Sequence, residues 1–431
     1  MVKTGSLNIL LCPFGSEGDV NPMLWMAEGF RRLGHYPHFV LTSNYGRLAA
    51  QAGFPWTPVG GETDFEQIAR DPRFWSPLTG PAHVSRAMLD SLGPFQEAVK
   101  QSPGPDIVIG STFAVAAFCF AEAGSIPRVT MHMQPAVLRS VADCPVFGHG
   151  MGWLRGMPAG FRRLSFHVMD LFLNSTLRAP LNRFREKQGL PALADVYRWL
   201  VGEQVILPVP AWFAPPQPEW PEELIQCGFP NNPHIGEPVD PRAIGLKASG
   251  RKVVLWTHGS ANYDTARFWK IARAVTADLG IASLFVGPSP PDGPLPADSL
   301  HLSHAPFESL MPFCDVMVHH GGIGTTAKAI ASGVPQLVIP RAHDQPDNAA
   351  RVSRLGVGLS LPYPLLSETR VRSRLRKVLE ERSYRRRAAE LAPLAMDSKP
   401  EEAAGWMVQL VFNKASSKIS AGCSARRPVA S

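Results

Sequence analysis

"VMVHHGGIGTTAKAIASGVPQLVIPRAHDQPDNAARV", residues Val316 to Val352, reads as strand, glycine turn, helix, strand and second turn. Apolar DVMV, from Asp315, makes the strand, Gly321, Gly322 and Gly324 the turn, and TTAKAIASG opens a helix whose first amides lack partners within it. Such a terminus binds phosphate when glycine lets the backbone approach closely, and His320 and the Thr325 hydroxyl add donors. Glycine also serves turn geometry alone, so the turn by itself leaves both readings open. The next segment, RAHDQPDNAA, brings Asp344 and Gln345 to another carboxyl end of the same sheet, where a carboxylate and an amide together can grip neighbouring sugar hydroxyls. Alone, Asp344 reads equally well as a helix N-cap. In series with the phosphate turn, the pair points to a nucleotide sugar.

The chain around this stretch has 431 residues, a length that suits two domains, and its 45% hydrophobic and 18% charged residues make it globular. No run of eighteen apolar residues occurs, so no transmembrane helix is expected. The opening MVKTGSLNILLCPFGSEGD reads as a first strand rather than a signal peptide, because its apolar run ends in glycine and acid. Six scattered cysteines, without a CxxC pair or metal-like spacing, fit free thiols in a reducing cytoplasm. A net charge of +7 suits an anionic ligand or surface.

Strand candidates LNILLCP, HFVLTS, DIVIGS and RVTMHM alternate with helical segments up to a proline-dense stretch, LPVPAWFAPPQPEWPEELIQCGFPNNPHIGEPVDP. A second series follows: KVVLWTHGS, ASLFVG, LHLSHA, DVMVHHGG and QLVIP. The pattern predicts an α/β architecture of two doubly wound domains facing one another, the first over 1–230, a linker over 231–250, the second over 251–413, and a disordered basic tail over 414–431. The final helix of the second unit is expected to pack back on the first. Residues 150–190 break the rhythm with aromatic residues and seven Arg or Lys against two acids, which suits a helical insertion facing a membrane, covering an apolar pocket or simply packing on the first domain.

Other carboxyl ends carry further candidates. WTHGS places Gly259 and Ser260 where a small backbone and a hydroxyl can face a diphosphate, and SHAPFESL places His304, with Ala305 beside it, and Phe307 where a base can stack. In CPFGSEGDVNP, glycines at 15 and 18 fall short of GxGxxG, which argues against a dinucleotide enzyme. Asp19 stands at that strand-to-helix turn and can take a proton from an acceptor hydroxyl, or cap the helix.

GSEGDVNPMLWMAEGFRRLGH, HHGGIGTTAKAIASGVPQLVIP and HDQPDNAARVSRLGVG together resemble the GT-B glycosyltransferases of the UDP-glucuronosyl/glucosyltransferase superfamily, in the branch with sterol, macrolide and glycopeptide enzymes. PAWFAPPQPEW and GFP extend the likeness toward the rhamnosyltransferase subunit of bacterial rhamnolipid synthesis, over residues 7 to about 410. The resemblance implies two Rossmann-like domains with an interdomain cleft. It implies Asp19 as general base, with Ser16 and Gly18 on the acceptor side. His320 and the turn from Gly322 to Thr325 fall under the donor phosphates, and Asp344 with Gln345 falls on the sugar. His304 stands where plant members stack a tryptophan on the base. Ser111 or Thr112 stands where histidine-type members carry an orienting aspartate.

The expected activity is inverting transfer of a hexosyl group, rhamnosyl or glucosyl, from a dTDP- or UDP-sugar to a hydroxyl of a hydrophobic or lipid acceptor. A sterol or polyketide acceptor is the alternative. No DxD triplet occurs, and neither a metal, a cofactor nor a nucleic-acid partner is expected. The expected location is cytoplasmic, with peripheral contact at the inner face of the cell membrane. A sugar-nucleotide epimerase and a non-catalytic donor- or lipid-binding subunit are the rival readings.

Overall fold

A computed structural model describes residues 5–60, 65–76, 79–148, 151–231, 239–259 and 265–410. The first sheet contains β1 (Asn8–Cys12), β2 (Tyr36–Thr42), β3 (Trp56–Val59), β4 (Ile107–Ser111), β5 (Arg128–Met131), β6 (Gln204–Leu207) and β7 (Glu223–Gln226), in the order β3-β2-β1-β4-β5-β6-β7. The second contains β8 (Val253–Thr257), β9 (Ala282–Val286), β10 (Ser299–Leu302), β11 (Val316–His319), β12 (Gln336–Val338) and β13 (Gly358–Ser360), in the order β10-β9-β8-β11-β12-β13. Every pairing is parallel. The strand order reverses between β1 and β4 and again between β8 and β11, and ligands of such sheets bind in the crevice beyond the carboxyl ends at those points.

Central strands β1, β4, β8, β9 and β11 are apolar almost throughout because helices cover both their faces, which is why each is legible as an unbroken hydrophobic run. Strands β3, β6, β7 and β13 gave no such signal. They are three or four residues long, and β3 carries Pro58, which a sheet tolerates at its edge. Strand β7 lies inside the proline-dense stretch.

The expected linker over 231–250 is shorter in the structure. Helix Pro241–Ala248, started by Asp240 accepting from the Arg242 amide, buries Ala243 in the second-domain core, so its residues belong to that domain. Residues 400–410 are helical and return to the first domain, where Ala403, Ala404 and Met407 join Trp25, Phe30 and Ile9 in one core. A further cluster joins Leu207, Phe213 and Phe229 to Ile330, Val352 and Leu391, so the two sheets share buried apolar surface. The tail over 414–431 lies outside the described residues. Five described cysteines are free, and Cys423 lies in the tail. Among the described residues no helix is long and apolar enough to cross a membrane.

Candidate active site

Asp19 does not cap its helix from outside. Helix Glu17–Arg32 begins earlier than the sequence suggested, with Ser16 as N-cap and Asp19 three residues in, completing a capping box. The Gly18 amide donates to Ser16 Oγ at 3.1 Å and the Ser16 amide donates to Asp19 Oδ2 at 2.9 Å. The acceptor-side expectation for Ser16 and Gly18 therefore meets a competing use, since the Ser16 hydroxyl is given to the cap. Gly15 has φ +142°, and a Cβ there would lie 2.1 Å from Asp19 Oδ2, so the loop closes on the carboxylate only as glycine.

The Asp19 carboxyl is pushed up to about 7, chiefly by burial and further by the charge of Asp344, while the Ser16 amide pulls it down. Neither Ser111 nor Thr112 hydrogen-bonds Asp19. The Ser111 hydroxyl accepts from the Phe14 amide at 2.8 Å and donates to the Phe14 carbonyl at 3.2 Å, tying the loop to β4. Thr112 bonds His132 Nδ1 at 2.8 Å. The Val201 carbonyl, 3.0 Å from His132 Nε2, can only accept, so the ring is protonated at Nε2 and Thr112 is the donor.

Phe14, Val20, Leu41, Tyr45, Val59 and Phe95 wall a small apolar cavity of about 30 Å³, and Gly15, which abuts Asp19, is also in its lining. The Thr42 hydroxyl, also in its lining, is buried without a hydrogen-bond partner among the described residues.

Across the cleft, strand β11 ends in two histidines with different fates. His319 is buried, accepts from the Gly321 amide at 3.1 Å and donates to Gln336 Oε1 at 2.8 Å, which makes it a brace of the turn. His320 lies between two glycines. A Cβ on Gly259 would sit 2.5 Å from its ring and one on Gly322 would sit 2.6 Å away, so both glycines make room for the imidazole. Burial first, then its two neighbouring histidines, lowers His320 to about 3, leaving a neutral ring whose Nδ1 is buried without a partner among the described residues.

Helix Ile323–Ala331 starts immediately after, with Gly322 as N-cap. The amides of Gly324 and Thr325 have no partner among the described residues, whereas the Ile323 amide is held by the Asp344 carboxylate. A Cβ on Gly324 would meet open space. Asp344 is the N-cap of helix Gln345–Leu355 by position, yet it makes no capping bond to that helix's amides; instead Oδ2 accepts from Asn348 Nδ2 at 2.7 Å. Burial lifts it to about 6. The oxygen of Gln345 accepts from the amides of Arg341 and Ala342 at 2.8 and 3.2 Å, so only its NH₂ group remains for a ligand.

Of the remaining candidates, His304 is exposed and Ala305 is buried in the core, so only the backbone of Ala305 is left to face a base. Ser260 lies outside the described residues. The sequence reading missed Asn348, which bonds both Asp344 and the Gly321 carbonyl and was findable as the residue one turn after Asp344. It also missed His343, held at φ +58° with its ring 4.4 Å from Phe74 and 5.6 Å from Trp75. Those aromatics come from the first domain, and nothing in their local sequence announces the contact. Arg155 of the first domain bonds fully buried Asp347 at 2.8 Å, and Arg351 bonds the same carboxylate at 2.7 Å, so helix Gln345–Leu355 is anchored to the first domain.

Known proteins show similar features. Residues 286–410 match the family model described as Erythromycin biosynthesis protein CIII-like, C-terminal domain. The chain is 27% identical over 375 residues to O-mycaminosyltylonolide 6-deoxyallosyltransferase of Streptomyces fradiae, covering 83% of this chain and 86% of that protein. The structure matches that of the kitacinnamycin glycotransferase with a TM-score of 0.73 at 19% identity, covering 95% of this chain and 100% of the other. It matches that of a spinosyn rhamnosyltransferase complexed with thymidine diphosphate with a TM-score of 0.65 at 17% identity, covering 93% and 100%. Two parallel α/β sheets facing one cleft, a family model matching residues 286–410 and relatives spanning most of the chain lead to one conclusion: this protein is a nucleotide-sugar glycosyltransferase of GT-B fold.

Proposed function

We propose that the protein inverts the anomeric centre as it transfers a hexosyl group, rhamnosyl or glucosyl, from a dTDP- or UDP-sugar to a hydroxyl of a hydrophobic, lipid-like acceptor. The carrying observation is that the Asp19 carboxyl, raised to about 7, abuts Gly15 of an apolar cavity and feels Asp344 from the other domain. A carboxyl near neutrality is matched to taking a proton from a hydroxyl and releasing it afterwards. Asp19 accepts the acceptor proton, the acceptor oxygen forms its bond to the anomeric carbon, and the nucleoside diphosphate leaves from the opposite face.

On the donor side, His320 and the amides of Gly324 and Thr325 hold the diphosphate. Because His320 is neutral, it meets the leaving-group charge with a hydrogen bond, and the helix terminus supplies the favourable field. Asp344 accepts from sugar hydroxyls and the Gln345 NH₂ group donates to them. Gly259 and Gly322 serve the ring of His320, and His304 with the backbone at Ala305 flanks the base. The residues of the cavity wall named above carry no charge, which favours an aliphatic or otherwise apolar acceptor body. The spinosyn enzyme crystallised with thymidine diphosphate supports a dTDP-sugar as the first donor to try.

The test incubates dTDP-rhamnose, dTDP-glucose and UDP-glucose with a 3-hydroxyacyl lipid, its monoglycoside, a sterol and a macrolide aglycone. Products are read by mass spectrometry and anomeric configuration by NMR. Retention of configuration, or transfer only to polar acceptors, would overturn the reading.

A further inference from the structure

Helix Ala159–Glu186 turns opposite characters inward and outward. Inward, Leu177 and Leu181 are fully buried with Leu92 and Phe95 in the first-domain core. Outward, Phe161, Leu164, Val168, Leu171 and Phe172 recur at helical spacing, between 45% and 57% exposed. Trp153, 53% exposed, packs on Phe161 with ring centroids 5.9 Å apart and widens the strip. An uncovered row of this many large apolar side chains marks an interaction surface.

The basic residues of the segment divide differently from the sequence expectation, which counted all its arginines toward a surface. Arg155 is spent on Asp347, Arg185 on Glu122 at 2.6 Å, and Arg162 donates to the Arg155 carbonyl at 3.3 Å. Arg163 and Arg183 are exposed and have no partner among the described residues, and Arg178 reaches only the Ala194 carbonyl at 3.5 Å. The one acid between residues 151 and 185, Asp170, is bonded to Arg139. The strip is thus rimmed by cations with no free carboxylate inside it.

We propose that this face docks on an anionic lipid surface, its apolar side chains entering the interface while Arg163, Arg178 and Arg183 meet headgroup phosphates. Charge favours lipid over a second copy of the chain, because a two-fold contact would set this basic rim against itself. Position gives the docking a use. The helix packs on Gly80–Gln101, whose Ala87, Ser91 and Phe95 line the cavity beside Asp19, so one helix separates the lipid surface from the acceptor cavity. That use rests on the hydrophobic-acceptor reading, whereas the docking itself does not.

Sedimentation with phosphatidylcholine vesicles, with and without phosphatidylglycerol, at low and high salt, compares wild type with Leu164→Ser, Val168→Ser, Leu171→Ser combined. All three positions are exposed, so the variant is expected to fold, and unchanged turnover of a short-chain soluble acceptor checks this. Wild type should sediment with the phosphatidylglycerol vesicles, less so at high salt, and the triple variant should bind at least about tenfold less. Equal partitioning of the two proteins, or a wild type that stays in the supernatant, overturns the proposal. So does a wild-type dimer in sedimentation velocity that the triple variant dissolves, since a second copy would then cover the face. Lipid binding together with transfer only to polar acceptors would retain the docking and overturn the hydrophobic-acceptor reading alone.

Discussion

Asp19, in the first turn of the first-domain helix, and Asp344, beyond β12 of the second domain, lie close enough for the Asp344 charge to raise the Asp19 carboxyl. Burial is the larger cause of the rise at Asp19 and the largest at Asp344. Two carboxylates from facing sheet ends therefore bracket one space, and in the proposed reaction the first gains the acceptor proton while the second holds sugar hydroxyls.

Asp19→Asn should retain the fold, because the amide oxygen can still accept from the Ser16 amide. Turnover is expected to fall by roughly 10² or more, with donor binding little changed. Calorimetric titration of nucleoside diphosphate beside initial rates checks both halves, and near-wild-type turnover would leave Asp19 as a capping-box residue only.

The pH dependence follows from the same group. With Asp19 at about 7, kcat/KM should climb to a plateau above neutrality and at pH 6 lie roughly tenfold below it. The stability effect has the opposite slope. The folded carboxyl holds its proton to about 7 against an ordinary value of 3.8, so the folded state binds more protons between those values and stability from this group declines as pH rises through that window. Urea unfolding of wild type and Asp19→Asn between pH 5 and 8 should show the decline in the wild type and a flatter profile in the variant.

His320→Ala and Gln345→Ala should separate the two parts of the donor. The first is expected to weaken binding of the bare diphosphate by about 1.5 to 3 kcal/mol, since a hydrogen bond to a charged group is lost. The second should leave bare diphosphate nearly unaffected while weakening or re-selecting the sugar, because the Gln345 oxygen serves the Arg341 and Ala342 amides and only its NH₂ group is left for a ligand. Equal losses on bare diphosphate would contradict the division.

Gly15→Ala tests the loop that closes on Asp19. A methyl group 2.1 Å from Oδ2, at φ +142°, must displace the carboxylate, whereas at Gly18 the nearest atom is 3.2 Å away. Gly15→Ala should lower kcat by at least about tenfold, while Gly18→Ala stays within a few-fold of wild type.

Asp347→Asn should destabilise the protein by about 3 kcal/mol, because Arg351, 1% exposed, loses its buried carboxylate and Arg155 loses its grip across the cleft. Urea unfolding measures it, and a change below about 0.5 kcal/mol would show the pair to be dispensable.

The sequence alone determined the two doubly wound sheets, because central parallel strands are covered on both faces and must be written as unbroken apolar runs divided by glycine turns and helical periods. For the same local reason it marked Asp19, His320, Asp344 and Gln345, which stand where strands hand over to helices. Edge strands β3 and β13 escaped because three or four residues carry no period. Only the tertiary structure decided what each group is free to do. It gave the Ser16 hydroxyl to a cap and the Gln345 oxygen to two amides, buried Ala305, and set His343 against Phe74 and Trp75 from more than 260 positions earlier in the chain. It also turned Arg155 and Arg185 inward and left Phe161, Leu164, Val168, Leu171 and Phe172 outward. Burial, partner and field are properties of atoms brought together from distant parts of the chain, so local composition could name the groups without fixing their charge, their free valence or the face they present.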